Sequence, residues 1–334
     1  MFRTLAVLFF LLKQTMIFAQ PSGELQPLLD SSLSKMQQYS LNRNKTDWVE
    51  FKKKAYARTK GISQLDSLLD KYPLFFEWLN DFHGGIQYHT KFFGWAKGHQ
   101  NEKNNPALDS VIKKSPFLRI ERKNDLVYYR VPGGTTKNVA AVTQMLADSL
   151  CKTEPATAKA FIIDLRLNTG GNIWFNLSSL AFLIGEGTVT GYKYINGEPD
   201  KDVVIKQGKV FGNDQWYSIP EPKCTLSYSN VPVVLIVGPK TASSAEGLLL
   251  AFKGRPNTLI IGEATAGLVT ANNTYPLRKD LTLVLAISHM KDRKGNFYTS
   301  PIQPDILIEG GDDFSDLEKD KKVIAALNWI NKNK

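Results

Sequence analysis

Several things are scarce or missing in this chain, and each absence removes a class of function. There are two cysteines, Cys151 and Cys224, and neither has the spacing of a metal or redox motif. An exported protein can hold a disulfide, but two cysteines far apart need not pair, so the pairing stays open. Histidine occurs four times, at His83, His89, His99 and His289. No H-E-x-x-H zinc motif is present, and no metal or cofactor is implied. G-x-S-x-G is absent, which argues against an α/β-hydrolase. Neither G-x-x-x-x-G-K-[ST] nor G-x-G-x-x-G occurs, which removes the phosphate loop and the dinucleotide fingerprint. Basic residues are scattered or in small clusters such as Lys52–Lys54, without interleaved aromatics. The net charge of +10 therefore reads as solvated surface, and no nucleic-acid partner is expected.

What remains is ordinary globular material. Of 334 residues, 43% are hydrophobic and 22% charged, enough for one large core or two modest domains. Residues 1–20 read as an export signal: Arg3 gives the positive start, Leu5–Leu12 the apolar stretch, and Ala19 a small residue near a cleavage point. That stretch is too short for a bilayer span, which takes about 20 residues. Loss of Arg3 and Lys13 with the signal lowers the net charge from +10 to +8. A soluble mature protein is expected, periplasmic or secreted, with no membrane span after cleavage.

Three regions follow: the signal over 1–20, a helical region and polar loop over 21–115, and an α/β core over 116–334. Polar and apolar residues mix at helical spacing from 25 to 80, and Gly84 and Gly85 then break any helix. "KGHQNEKNNPALD" reads as an exposed loop. From Phe117 onward, short apolar runs alternate with helical patterns: "AFIIDL", "IWFNLSSLAFLI", "VPVVLIVG", "SAEGLLLAFK", "TLIIG". This is the pattern of a βαβ core. "LTLVLAISHM" and "GNFYTS" suggest a late hairpin, and "DLEKDKKVIAALNWI" a closing amphipathic helix.

Chemistry concentrates at three places. Strand, turn and helix put Ser243 and Ser244 at a helix N-terminus, where open N–H groups and the dipole favour negative charge. A serine there is a candidate nucleophile, but Ser243 and Glu246 also form an S-x-x-E capping box. In "DLRLNTGG", Gly170 and Gly171 expose backbone N–H groups, as an oxyanion hole or as a plain turn before a helix. "NDFHGG" offers His83 as a proton acceptor, with His289 as a second candidate.

"FIIDLRLNTGGN", "VPVVLIVGPKTASSAEGLLLAFK", "LIIGEATAGL" and "PIQPDI" occur in the order found in the C-terminal processing (tail-specific) serine proteases, which the chain resembles. The resemblance covers about 81–308. It implies a crotonase/Clp-protease-like βαβ core, here with a helical N-terminal region and added β-hairpins. It places the nucleophile three residues before Glu246, on Ser243. In members with a Ser–Lys dyad the lysine stands 25 residues after the serine; here that position is Leu268. The chain is thus similar to the tricorn-type branch, which uses a histidine and includes interphotoreceptor retinoid-binding protein, and the base falls on His83. The family's PDZ domain is not expected between His83 and Tyr128, which stand about 45 residues apart, fewer than the roughly 50 a separate domain takes. The acidic residue of the tricorn-type site is missing, leaving Thr299, Ser300 or Asp81 to orient the ring.

The resemblance implies an exported serine-type peptidase acting on a peptide or protein. Ser243 would be the nucleophile and His83 the base, with the N–H groups of Gly170 or Gly171 and of Ser244 holding the oxyanion. An inactive peptide- or hydrophobic-ligand-binding relative of the same fold is the alternative.

Overall fold

The computed structural model describes residues 23–95, 108, 111, 118–195, 197–226 and 230–333. The signal over 1–20 and most of the polar loop lie outside the described residues.

Four helices stand where helical spacing predicts them: α1 (Gln26–Tyr39), α2 (Trp48–Thr59), α3 (Leu65–Leu69) and α4 (Tyr72–Trp78). Helix α2 begins where Asp47 accepts hydrogen bonds from the Val49 and Glu50 N–H groups, satisfying donors the helix leaves open. Leu29, Leu33, Met36, Phe51, Phe75 and Phe76 turn inward as one apolar cluster, and Leu281, Leu283 and Leu285 complete it. The helices therefore pack on a strand from the far end of the chain. A hairpin, β1 (Gly85–Tyr88) and β2 (Lys91–Gly94), follows directly after His83.

The core is a six-stranded sheet. Its early members are β3 (Arg119–Lys123), β4 (Leu126–Arg130) and β5 (Ala160–Asp164), interleaved with helices α5 (Val139–Cys151) and α6 (Trp174–Ile184). A meander, β6 (Gly187–Lys193), β7 (Lys201–Lys206), β8 (Lys209–Gly212) and β9 (Gln215–Tyr217), leaves this sheet for a second one. The chain returns as β10 (Val233–Val237), α7 (Ser244–Phe252) and β11 (Thr258–Gly262). It ends with β12 (Thr270–Arg278), β13 (Leu281–Asp292), β14 (Ile306–Leu307) and α8 (Lys321–Lys332). The core sheet runs β14-β11-β10-β5-β4-β3, parallel except for β3.

Both faces of this sheet are covered, which is why its strands read as unbroken apolar runs. Phe161, Ile163, Val233, Leu235 and Val237 share a cluster with α6 and α7. Ile162, Val234 and Ile236 meet Val323, Ala326 and Ile330 of α8. The fold is mixed α/β, as the alternation of apolar runs and helical patterns implies. Among the described residues, no helix is long and apolar enough to cross a membrane.

The late hairpin differs from the sequence expectation. Residues 281–292 are a strand, but β13 pairs with β12, and "GNFYTS" contributes only a bridge between Lys291 and Phe297. β12 lies outside the main strand order and pairs with β13 alone among the described residues. An edge strand needs no apolar alternation and tolerates Pro276, so its sequence carries little strand signal. On its other side β13 pairs with β1 over its first residues and with β6 over its last, joining early, middle and late segments in one sheet.

Two cross-links fasten the periphery. Cys151 and Cys224 are disulfide-bonded with Cα atoms 5.6 Å apart, which settles the pairing. Arg166 is buried and donates to Asp164, to Asp312 at 2.6 Å and to Asp320 at 2.7 Å. Burial alone would raise the Asp164 carboxyl, but the Arg166 guanidinium beside it holds it below the ordinary aspartate value. Asp320 also caps α8 through the Lys322 and Val323 N–H groups.

Reduction of the disulfide, which spans 73 residues of sequence, is expected to cost about 2–4 kcal/mol, read as a lower urea midpoint in reductant and in a Cys151→Ala/Cys224→Ala variant. Asp320→Ala is expected to destabilise by about 3–5 kcal/mol, because it strips a buried guanidinium of a partner and a helix of its cap. Asp312→Ala, at a side chain 24% exposed, should cost clearly less in the same denaturation series.

Candidate active site

Parallel pairing of β5 with β10 delivers two turns to the same edge of the sheet. The turn after β10 is tied to the turn after β5 in two places. The Thr241 hydroxyl donates to the Leu165 carbonyl at 2.9 Å, and the Ala242 N–H donates to the Asn168 carbonyl at 3.2 Å. Ser243 follows with φ +55° and ψ −115°, a conformation that a residue with a side chain rarely adopts. The Glu246 carboxylate accepts the Ser243 N–H at 2.8 Å, so the capping-box contact between these two residues is present.

Gly170 and Gly171 sit against this turn with φ of +105° and +117°. A Cβ on Gly170 would lie 2.8 Å from the Ser243 Cβ, so the close approach of the turns requires glycine there. The Gly170 N–H is occupied, donating to Asn168 Oδ1 at 3.0 Å. The N–H groups of Gly171 and Ser244 have no acceptor among the described residues. Ser244 is the first residue of α7, where helix geometry supplies no partner. Its hydroxyl is buried and has no hydrogen-bond partner among the described residues.

Ser243, Ser244 and Gly171 line a cleft of about 600 Å³. Ile173, Trp174, Tyr192 and Met290 form apolar wall, and residues 270–274 of β12 form a polar rim. A second cavity of about 190 Å³ is lined by His83, Asp81, His289 and Thr299. Thr270 belongs to both. His83 and Ser243 thus face separate cavities that meet at one residue.

The His83 ring contacts Thr270: Nδ1 and Oγ1 are 2.8 Å apart. Its backbone is fixed by Asp81, which accepts from the His83 N–H at 3.1 Å, the Gly84 N–H at 2.7 Å and the Ala286 N–H of β13 at 3.0 Å. Burial raises the Asp81 carboxyl above its usual value, against the pull of those three donors. Asp81 therefore serves the loop's backbone, while the ring's orienting contact comes from Thr270. Thr299 lines the His83 cavity, and Ser300 is exposed. His289 is the direct cross-strand partner of Thr270, and burial lowers its imidazole below the ordinary histidine value. It lines the His83 cavity, not the cleft of Ser243.

Sequence reasoning did not single out Thr270. Leu268, at the position of the family's lysine, lies two residues before it, so spacing indicated the segment while residue type gave no sign. Asn168, which shapes the glycine turn, was equally silent.

The family model for peptidase family S41 matches residues 127–308, more than half of the chain. The nisin-resistance protein of Lactococcus lactis subsp. lactis is 25% identical over 277 residues, 82% of this chain and 80% of that protein. The solved structure of a lipoprotein from Streptococcus agalactiae superposes with a TM-score of 0.68 at 21% identity, covering 92% of this chain and 96% of that one. The photosystem II D1 C-terminal processing protease superposes at 0.55 with 13% identity, covering 89% and 96%. The structural likenesses establish a shared fold, and the family match reaches from β4 through both turns of the cleft to the end of β14: the chain belongs to peptidase family S41.

Proposed function

We propose that the chain is an exported serine peptidase that cleaves a peptide or protein through an acyl-enzyme on Ser243, with His83 as general base. One observation carries the reading: Ser243 stands in a strained turn beside two N–H groups without an acceptor among the described residues, with a threonine-held imidazole on the other side of Thr270. An Nδ1–H donated to Thr270 Oγ1 leaves Nε2 as the acceptor for the serine proton. The Ser243 oxygen attacks the scissile carbonyl, and the Gly171 and Ser244 N–H groups receive the developing oxyanion. Gly170, whose N–H serves Asn168, supports the turn instead of binding the oxyanion. The imidazolium returns its proton to the leaving amine, and water deacylates the serine by the reverse route. Hydrogen bonds at such sites tighten when substrate binds, so Ser243 and His83 need not touch beforehand.

The apolar wall of the cleft suits side chains of a peptide, and the β12 rim offers backbone to an extended segment. Membership of peptidase family S41 supports a peptide or protein substrate. The disulfide fits an oxidising compartment and supports export. Thr270 is neutral where a carboxylate would stabilise the imidazolium, so modest turnover is expected.

A fluorophosphonate is expected to label the purified mature protein and its Ser244→Ala variant, and to leave Ser243→Ala and His83→Ala unlabelled. Absence of label on the wild-type protein would favour the ligand-binding alternative. Thr270→Val is expected to lower kcat/KM by about tenfold to a hundredfold with the fold intact, because the ring loses its fixed tautomer. An unchanged value would remove Thr270 from the site.

A further inference from the structure

One buried carboxyl joins the turn that carries Ser243 to the segment that leads to the imidazole. Glu246 has no exposed surface. Its Oε2 accepts the Ser243 N–H at 2.8 Å. Its Oε1 accepts the Thr265 hydroxyl at 2.5 Å and the Gly267 N–H at 2.9 Å. The Leu268 backbone hydrogen-bonds to it as well. A capping box accounts for the first contact alone. The others reach across 19 and 21 residues of sequence, onto the connection between β11 and β12. That connection is tied down further: the Ala266 N–H donates to the Thr241 carbonyl at 2.9 Å. Two residues past Leu268 stands Thr270, in contact with His83.

The donor set suits a carboxylate. The Thr265 hydroxyl accepts from the Ile302 N–H at 2.9 Å, which leaves its own proton for Glu246. All of these contacts therefore point hydrogens at the carboxyl. Burial works the other way and pushes Glu246 up to about 7. Residues 265–268 and 301–302, which surround it, bring no titratable side chain. Glu263, at the head of the same connection, Arg166, in the turn after β5, Lys240, on the approach to Ser243, and His83 and His289, across Thr270, are titratable groups of the neighbouring elements.

The geometry points to Glu246 as a positioning residue: its carboxylate fastens residues 265–268 to the Ser243 peptide group and so sets where Thr270, and the His83 ring it holds, stand relative to the serine hydroxyl. This inference rests on the peptidase reading above and adds a residue to it. Glu246 touches no reacting atom and acts through the two segments it joins.

The sign of its linkage to stability follows from the raised value. A carboxyl whose folded value lies above the ordinary 4.5 contributes stability that is fully present below about 4.5 and lost as pH rises through about 7. The ionised form that suits the donor set is thus the less stable one.

The test compares wild type, Glu246→Gln and Thr265→Val by three readouts: the pH dependence of Tm, hydrogen exchange over 243–247 and 265–270, and the rate of fluorophosphonate labelling with kcat and KM on a peptide. Glu246→Gln is expected to lose the part of the wild-type Tm decline between pH 5 and pH 8 that comes from this group. Its 265–270 segment should exchange faster, and labelling and kcat at pH 8 should fall by about tenfold to a hundredfold with KM little changed. Thr265→Val, which removes one of the contacts to Glu246 together with the acceptor of the Ile302 N–H, should show a smaller loss in the same direction and serves if the glutamine variant does not fold. The inference is overturned if a labelled wild type is matched in rate by both variants, or if exchange over 265–270 is unchanged. A wild type that takes no label at all overturns the peptidase reading itself, and this inference with it.

Discussion

Everything near the cleft depends on the register between β5 and β10. Leu235 pairs with Ile163 and Ile236 with Asp164, so both strands end at the same level and release their turns side by side. In parallel sheets, sites form where loops leave the carboxyl ends of the strands. Here one loop brings a serine and the other brings glycines, and the Ala242–Asn168 hydrogen bond holds them edge to edge. The backbone strain at Ser243, of the order of 1–3 kcal/mol for such a conformation, is held by the ties through Thr241, Ala242 and Glu246. A shifted register would separate the serine from the open N–H groups while leaving the hydrophobic core nearly unchanged.

The imidazole arrives by another route. His83 belongs to the N-terminal region, yet its loop is anchored through Asp81 to Ala286 of β13. β13 also supplies leucines to the cluster beneath the N-terminal helices and pairs with β12, whose first residue holds the ring. One long strand therefore relates the helical region to the core. The contact between the ring and Thr270 is to a hydroxyl, and the two buried carboxyls beside the site, Asp81 and Glu246, bind backbone and hydroxyl groups. Both are raised by burial, and both hold backbone in place.

The core was legible because its strands are buried on both faces: "AFIIDL" and "VPVVLIVG" read as short buried strands, and their alternation with helical patterns indicates a βαβ core. The serine turn and the glycine turn were legible because strand-to-helix transitions leave small residues and caps behind. β12 was not, because an edge strand that lines a cleft can be polar and include proline. Thr270 was not, because its role depends on a neighbour 187 residues away, and nothing local distinguishes it from Thr265 or Thr274. Asp81 was visible as an acid beside His83, but only geometry shows that it binds peptide N–H groups. Glu246 read as a helix cap; its longer contacts required the β11–β12 connection to fold over it.

The pairing of β1 with residues 281–284 has a consequence for how the protein comes into being. The hairpin that follows His83 has no β13 to join until the last fifth of the polypeptide has been made. Contacts of such long sequence separation form slowly. A partly synthesised chain can build the β5–β10 centre only after Val237 emerges, and can seat its imidazole only later still. The cleft is completed last, once β12 and β13 have taken their places beside the serine turn.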